Sequence, residues 1–120
     1  MPRPRKGRRV CCLPPYSSFR PLHGPPQGEV VMTVDEYETI RLLDLEGLTQ
    51  EEAAQRMDVA RTTVQRIYAS ARHKVAQALY AGALLRIEGG DYEFYRPEQA
   101  GFGCRRCRRQ RRDLETGHLE

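Results

Sequence analysis

The chain contains no tryptophan and only three phenylalanines in 120 residues. With so little aromatic bulk, one domain with a modest core is expected at this length. No run of about 18 apolar residues occurs, so no membrane-spanning helix is expected. The charged first residues are followed by no apolar stretch, which argues against a secretory signal and for a cytoplasmic location. The chain has no Gly-rich phosphate loop, nucleophile elbow or H-E-x-x-H motif, and His23, His73 and His118 lie far apart. No enzymatic role is therefore expected. Acidic residues are missing from two stretches. Residues 1–28 hold six bases and no acid, and residues 101–112 hold six arginines and no acid.

The middle of the chain carries most of the information. Leu48 to Val75 reads LTQEEAAQRMDVARTTVQRIYASARHKV. Thr49 and Glu52 form T-x-x-E, a capping box in which hydroxyl and carboxylate satisfy unpaired N–H groups at a helix start. Ala53 and Met57 follow one turn apart, and Val64 and Ile67 repeat that spacing after a break. Val59 falls between the two apolar pairs and can plug a corner. Asp58 stands where the chain must turn and tolerates left-handed backbone angles. Ala60 then caps the second helix poorly. The pattern predicts a helix-turn-helix, a shape that fits the DNA major groove.

With the apolar positions inward, Arg61, Thr62, Thr63, Gln65 and Arg66 are left facing solvent. Arg can fork onto guanine and Gln onto adenine, and Thr can donate, accept or touch a thymine methyl. From Arg61 to Tyr80 there are four basic residues and no acid, whereas Glu29 to Ala60 holds nine acids and two bases. A helix without acids beside segments rich in them suggests a face that meets a polyanion, here double-stranded DNA. Arg72 and Lys74 lie further along and are candidate phosphate contacts.

The flanking segments complete a mainly α expectation: a three-helix helix-turn-helix domain over residues 29–82, a C-terminal β-hairpin over 83–95, and extended basic arms at both ends. Residues 1–28 hold all but one of the prolines and read as an extended arm. Leu13, Tyr16, Phe19 and Leu22 could tack that arm to the core. Thr33 and Glu36 repeat the T-x-x-E box, predicting a first helix from about Val34 to Glu46, with Gly47 as its stop. Asp35, Glu36 and Glu38 suit the start of that helix through its dipole. The second helix is expected over Gln50–Met57 and the third from Arg61 to about Tyr80. Leu84 to Tyr95 alternates around Gly89-Gly90, which predicts a two-residue hairpin turn. Residues 96–120 read as an Arg- and Cys-rich tail.

The opening PRPRKGRR places Arg3, Arg5, Lys6, Arg8 and Arg9 on a proline-stiffened strand that could enter a minor groove. Cys104 and Cys107 form C-x-x-C, a spacing that lets two thiolates share a metal. Cys11 and Cys12 are adjacent, and if the arm folds back on the tail the four could hold a structural zinc. Inert thiols or a redox pair are the alternatives.

Three segments together carry a family resemblance: MPRPRKGRRVCCLP, the block from VVMTVDEYETIRLLDLEGL to ARHKVAQAL, and IEGGDYEF. They resemble an uncharacterised prokaryotic UPF family described as predicted DNA-binding. The central block also looks like the fourth region of sigma factors, with Gln50, Ala54, Val59, Arg61, Thr62, Val64 and Ile67 on the motif's positions. Ala60 and Asp58 depart from the usual Ser and Gly there. The resemblance implies the helix-turn-helix fold, and together with the residues above it leads to a sequence-specific transcriptional regulator. One short module reads few base pairs, so a homodimer on paired half-sites is one arrangement, joined through the hairpin or the end of the third helix. The alternatives are an adaptor that docks on transcription machinery and binds nucleic acid nonspecifically, and a metal- or redox-responsive switch.

Overall fold

The structure is a computed structural model that describes residues 7–96. In chain order the elements are β1 (Arg8–Val10), β2 (Ser18–Phe19), β3 (Glu29–Met32), α1 (Val34–Ile40), a π-helical segment (Arg41–Leu45), α2 (Gln50–Met57), α3 (Arg61–Ala81), β4 (Leu84–Ile87) and β5 (Tyr92–Phe94). The three expected helices are present. The mainly α expectation is not met, because helices take up under half of the described residues and two small sheets frame them. No helix among the described residues is long and apolar enough to cross a membrane.

The C-terminal hairpin does not form. β4 pairs antiparallel with β2 and parallel with β3, in the register Glu29↔Leu84 to Met32↔Ile87. β5 pairs parallel with β1, Arg8 opposite Tyr92 and Val10 opposite Phe94. Gly89 and Gly90 carry the chain from one sheet to the other. A tight hairpin would have set Glu88 against Asp91, a repulsive pair. Instead Glu88 N–H donates to the Met32 carbonyl at 2.9 Å and Val34 N–H to the Gly89 carbonyl at 3.0 Å. Gly90 (φ +100) passes so close to Thr33 and Asp35 that a Cβ there would collide with both.

The N-terminal segment is likewise not a free extended arm from Arg8 onward. Val10 is fully buried and joins Met32, Val34, Ala71 and Ile87 in one core cluster. Of the side chains expected to tack the segment down, Leu13, Tyr16 and Leu22 are exposed, and Phe19, half exposed, pairs opposite Leu85 of β4. Parallel β3 and β4 need a long crossover, and the three helices supply it.

The second core cluster belongs to the helices and holds Leu42, Ala53, Ala54, Met57 and Val64. α1 starts at Thr33, whose hydroxyl accepts from Glu36 N–H, while the Glu36 carboxylate accepts from Thr33 N–H at 2.8 Å. Its continuation widens by one residue per turn, with Glu46 N–H reaching the Arg41 carbonyl at 2.9 Å. Arg41 is buried there against Glu38, Nε to Oε1 at 2.8 Å and Nη2 to Oε2 at 3.0 Å. Glu38, 0% exposed, also accepts from Cys11 N–H at 2.9 Å and from the Tyr95 hydroxyl at 3.2 Å. This carboxylate therefore ties α1 to the residues that directly follow β1 and β5. Burial and the Glu38 charge push the Tyr95 hydroxyl above its ordinary pKa, so it stays a donor. Burial works against the Arg41 charge, and Glu38 more than offsets it.

Candidate nucleic-acid interface

The helix-turn-helix is built as its residues dictate. Thr49 caps α2, accepting from Glu52 N–H at 3.1 Å while Glu52 Oε1 accepts from Thr49 N–H at 2.9 Å. Asp58 ends α2 in the left-handed region at φ 57, ψ 48, the one described non-glycine residue with positive φ. Val59 N–H closes the corner onto the Ala54 carbonyl at 3.1 Å. Ala60 is extended and gives α3 no side-chain cap, and no acid lies in the first turn of α3. The first N–H groups of α3 therefore keep their pull on external anions.

Val64 and Ile67 are buried, which turns Arg61, Thr62, Gln65 and Arg66 outward as exposed residues, while Thr63 is half-buried. A cleft of about 700 Å³ opens beside the corner. Arg61, Thr63 and Arg66 line its α3 side, Gln55 and Asp58 its α2 side, and Arg8 reaches it from β1. Gln55 was not singled out by sequence reasoning. Its signal was its place on α2, two residues past buried Ala53 and so on the opposite side of the helix.

The other basic candidates separate into two groups. Arg72 is exposed, lies 5.3 Å over the Tyr68 ring and stands 4.0 Å from Asp44. Arg8, Arg9 and Lys74 are engaged by carboxylates of the protein itself. Arg8 Nη1 is 3.4 Å from Asp35 and 3.3 Å from Asp91, Arg9 is 2.6 Å from Glu93, and Lys74 is 2.7 Å from Glu36. The structure thus gathers Arg61, Thr62, Gln65 and Arg66 at one end of α3 and gives Arg8, Arg9 and Lys74 internal work. Arg3, Arg5 and Lys6 lie outside the described residues.

The Lys74 pair makes a pH-dependent contribution. Burial alone would raise the Glu36 pKa, but hydrogen bonds from Lys74, Ser70 and Thr33 outweigh it and hold the pKa below its ordinary 4.5. A depressed folded pKa stabilises the fold above the unfolded pKa, and that contribution is lost as pH falls through the folded value. Lys74→Met is expected to weaken this acid dependence. Urea midpoints at neutral pH and at about pH 3 measure it, and an unchanged difference between the two would exclude the coupling.

The cysteines do not assemble a centre within the described residues. Cys11 is buried against Tyr95. Cys12 is half-buried beside it. Among the described residues no group of three or more His, Cys, Asp or Glu could hold a metal ion. Cys104 and Cys107 lie outside the described residues.

Comparison with known proteins points to one family. The family described as "Protein of unknown function DUF134" matches residues 1–95. A UPF0251 protein of Desulfitobacterium hafniense is 56% identical over 117 residues, covering 95% of this chain and 92% of that protein. A UPF0251 protein of a Thermoanaerobacter species is 52% identical, covering 84% of this chain and 91% of its own. One from Caldicellulosiruptor bescii is 54% identical, covering 87% and 74%. No solved structure matches the chain.

Proposed function

The chain belongs to the DUF134 family, and we propose that it is a cytoplasmic, sequence-specific DNA-binding protein that regulates transcription through its α2–α3 helix-turn-helix. One observation carries the reading. The uncapped, acid-free start of α3 presents Arg61, Thr62, Gln65 and Arg66 together to solvent. Each has a natural base-edge partner in the major groove, and a fork from Arg to guanine discriminates by about 1–3 kcal/mol. The helix is 21 residues long, about 31 Å at 1.5 Å per residue, so its first two turns can enter a groove while the rest stays in the core. Arg61 and Arg66 concentrate positive charge on the α3 side of the cleft, while Glu51 and Asp58 hold the α2 side, so a phosphate is drawn to the α3 side. α2 crosses α3 at the corner and would lie over the phosphate backbone, with the exposed side of Gln55 nearest.

Selection of bound sequences from a random duplex pool tests the proposal. A regulator enriches one motif, and Arg61→Ala relaxes preference at a single position of it. An adaptor that binds nucleic acid nonspecifically enriches none, and that result would replace the regulator reading.

A further inference from the structure

The far half of α3 carries large apolar side chains that no described element covers. Leu79 is 79% exposed and Tyr80 96%. Leu79 stands as a ridge between two shallow troughs. One, of about 310 Å³, is lined by Ile40, Val75 and Ala76, with the exposed charges of Asp44 and Arg72 at its edge. The other, of about 220 Å³, runs between α3 and β2 and is lined by Phe19, Val75, Ala78 and Leu85.

We propose that this patch is a self-association surface and that its occupant is a second copy of the chain, related by a two-fold axis. A two-fold contact needs one patch that carries both halves of every interaction. This patch does so twice. Leu79 is a knob, and the trough beside it is a hollow that the partner's Leu79 can enter. Asp44 and Arg72 set opposite charges on one edge, so a rotated copy offers a base to each acid and an acid to each base. Arg72 and Arg20 stand at the rims of the two troughs, whose floors are apolar side chains that suit a protein surface better than a phosphate backbone. Leu79 lies eighteen residues beyond Arg61, about 27 Å along the helix. Association there leaves the exposed start of α3 open on both copies. The surface is small, so the association is expected to be weak and reversible. It does not depend on α3 entering DNA.

Sedimentation of the full-length protein over a range of concentrations tests this. The wild type is expected to form a dimer as concentration rises into the hundreds of micromolar, on the order of −5 kcal/mol. Leu79→Glu is expected to remain a monomer with unchanged circular dichroism. The charged pair allows a second test that a merely structural role would not pass. Arg72→Glu sets acid against acid across the axis, and Asp44→Arg sets base against base, so each variant alone should dimerise poorly. An equimolar mixture pairs every charge, and the mixed dimer should form at least about tenfold more tightly than either variant alone. A monomeric wild type at all concentrations, dimerisation of Leu79→Glu at the wild-type level, or a mixture no tighter than its components would each overturn the proposal.

Discussion

Glu38→Leu is expected to destabilise the protein by about 3–5 kcal/mol, the usual cost of removing one partner from a buried ion pair. Arg41 would be left buried without the carboxylate that receives Nε and Nη2, retaining only Glu46 at 3.0 Å. Cys11 N–H and the Tyr95 hydroxyl would lose their acceptor in the same step. At this chain length such a loss lowers the melting temperature by roughly 15 °C or more. Urea denaturation with tyrosine fluorescence gives the free energy directly. Glu38→Leu combined with Arg41→Met should recover part of the loss, because the pair is then absent as a whole and no charge is stranded. A cost under about 1 kcal/mol for Glu38→Leu alone would show that the pair does not hold β1 and α1 together.

The second large effect concerns affinity and leaves stability intact. Replacing both Arg61 and Arg66 with alanine is expected to weaken binding to the selected DNA site by on the order of 100-fold or more, from about 1–3 kcal/mol at each base contact. Both side chains are exposed, so the melting temperature should hardly move. Arg8→Ala provides the contrast. Arg8 is buried between Asp35 and Asp91, so its loss should lower stability first. Fluorescence anisotropy with a labelled duplex at fixed salt measures the first effect. If the double variant bound its site like the wild type, α3 would not be the reading element.

The helical half of the fold was legible because its signals are local. Thr33 with Glu36 and Thr49 with Glu52 are three residues apart and announce two helix starts. The period of Ala53, Met57, Val64 and Ile67 fixed which face of α2 and α3 is buried, and with it which residues of α3 stay outside. The left-handed turn at Asp58 was readable from the chemistry of aspartate. The sheets were not legible, because their pairing joins residues far apart. Four residues, Glu29–Met32, are too few to show alternation, and their partner Leu84–Ile87 lies beyond all three helices. Gly89-Gly90 carried a genuine hairpin signal that lost to apolar Val30 and Met32, which offered β4 a better-covered edge. The basic residues show the same division. Counting charge found Arg8, Arg9 and Lys74, but only the fold set Asp35, Glu93 and Glu36 beside them.

The strand pairing also governs when the molecule can come into being. Arg8 meets Tyr92 across eighty-four positions of chain, and Glu29 meets Leu84 across fifty-five. While the polypeptide emerges from the ribosome, the first three strands wait for edges that are among the last described residues to be made. Closing such long loops is slow, and it comes before the contacts that reward it. The capped helices can flicker into place early, yet Val10 and Met32 find their core only after Ile87 has arrived. A nascent chain halted after α3 would hold that helix without the frame that steadies it, so the proposed engagement of a DNA groove would have to wait for the final strands.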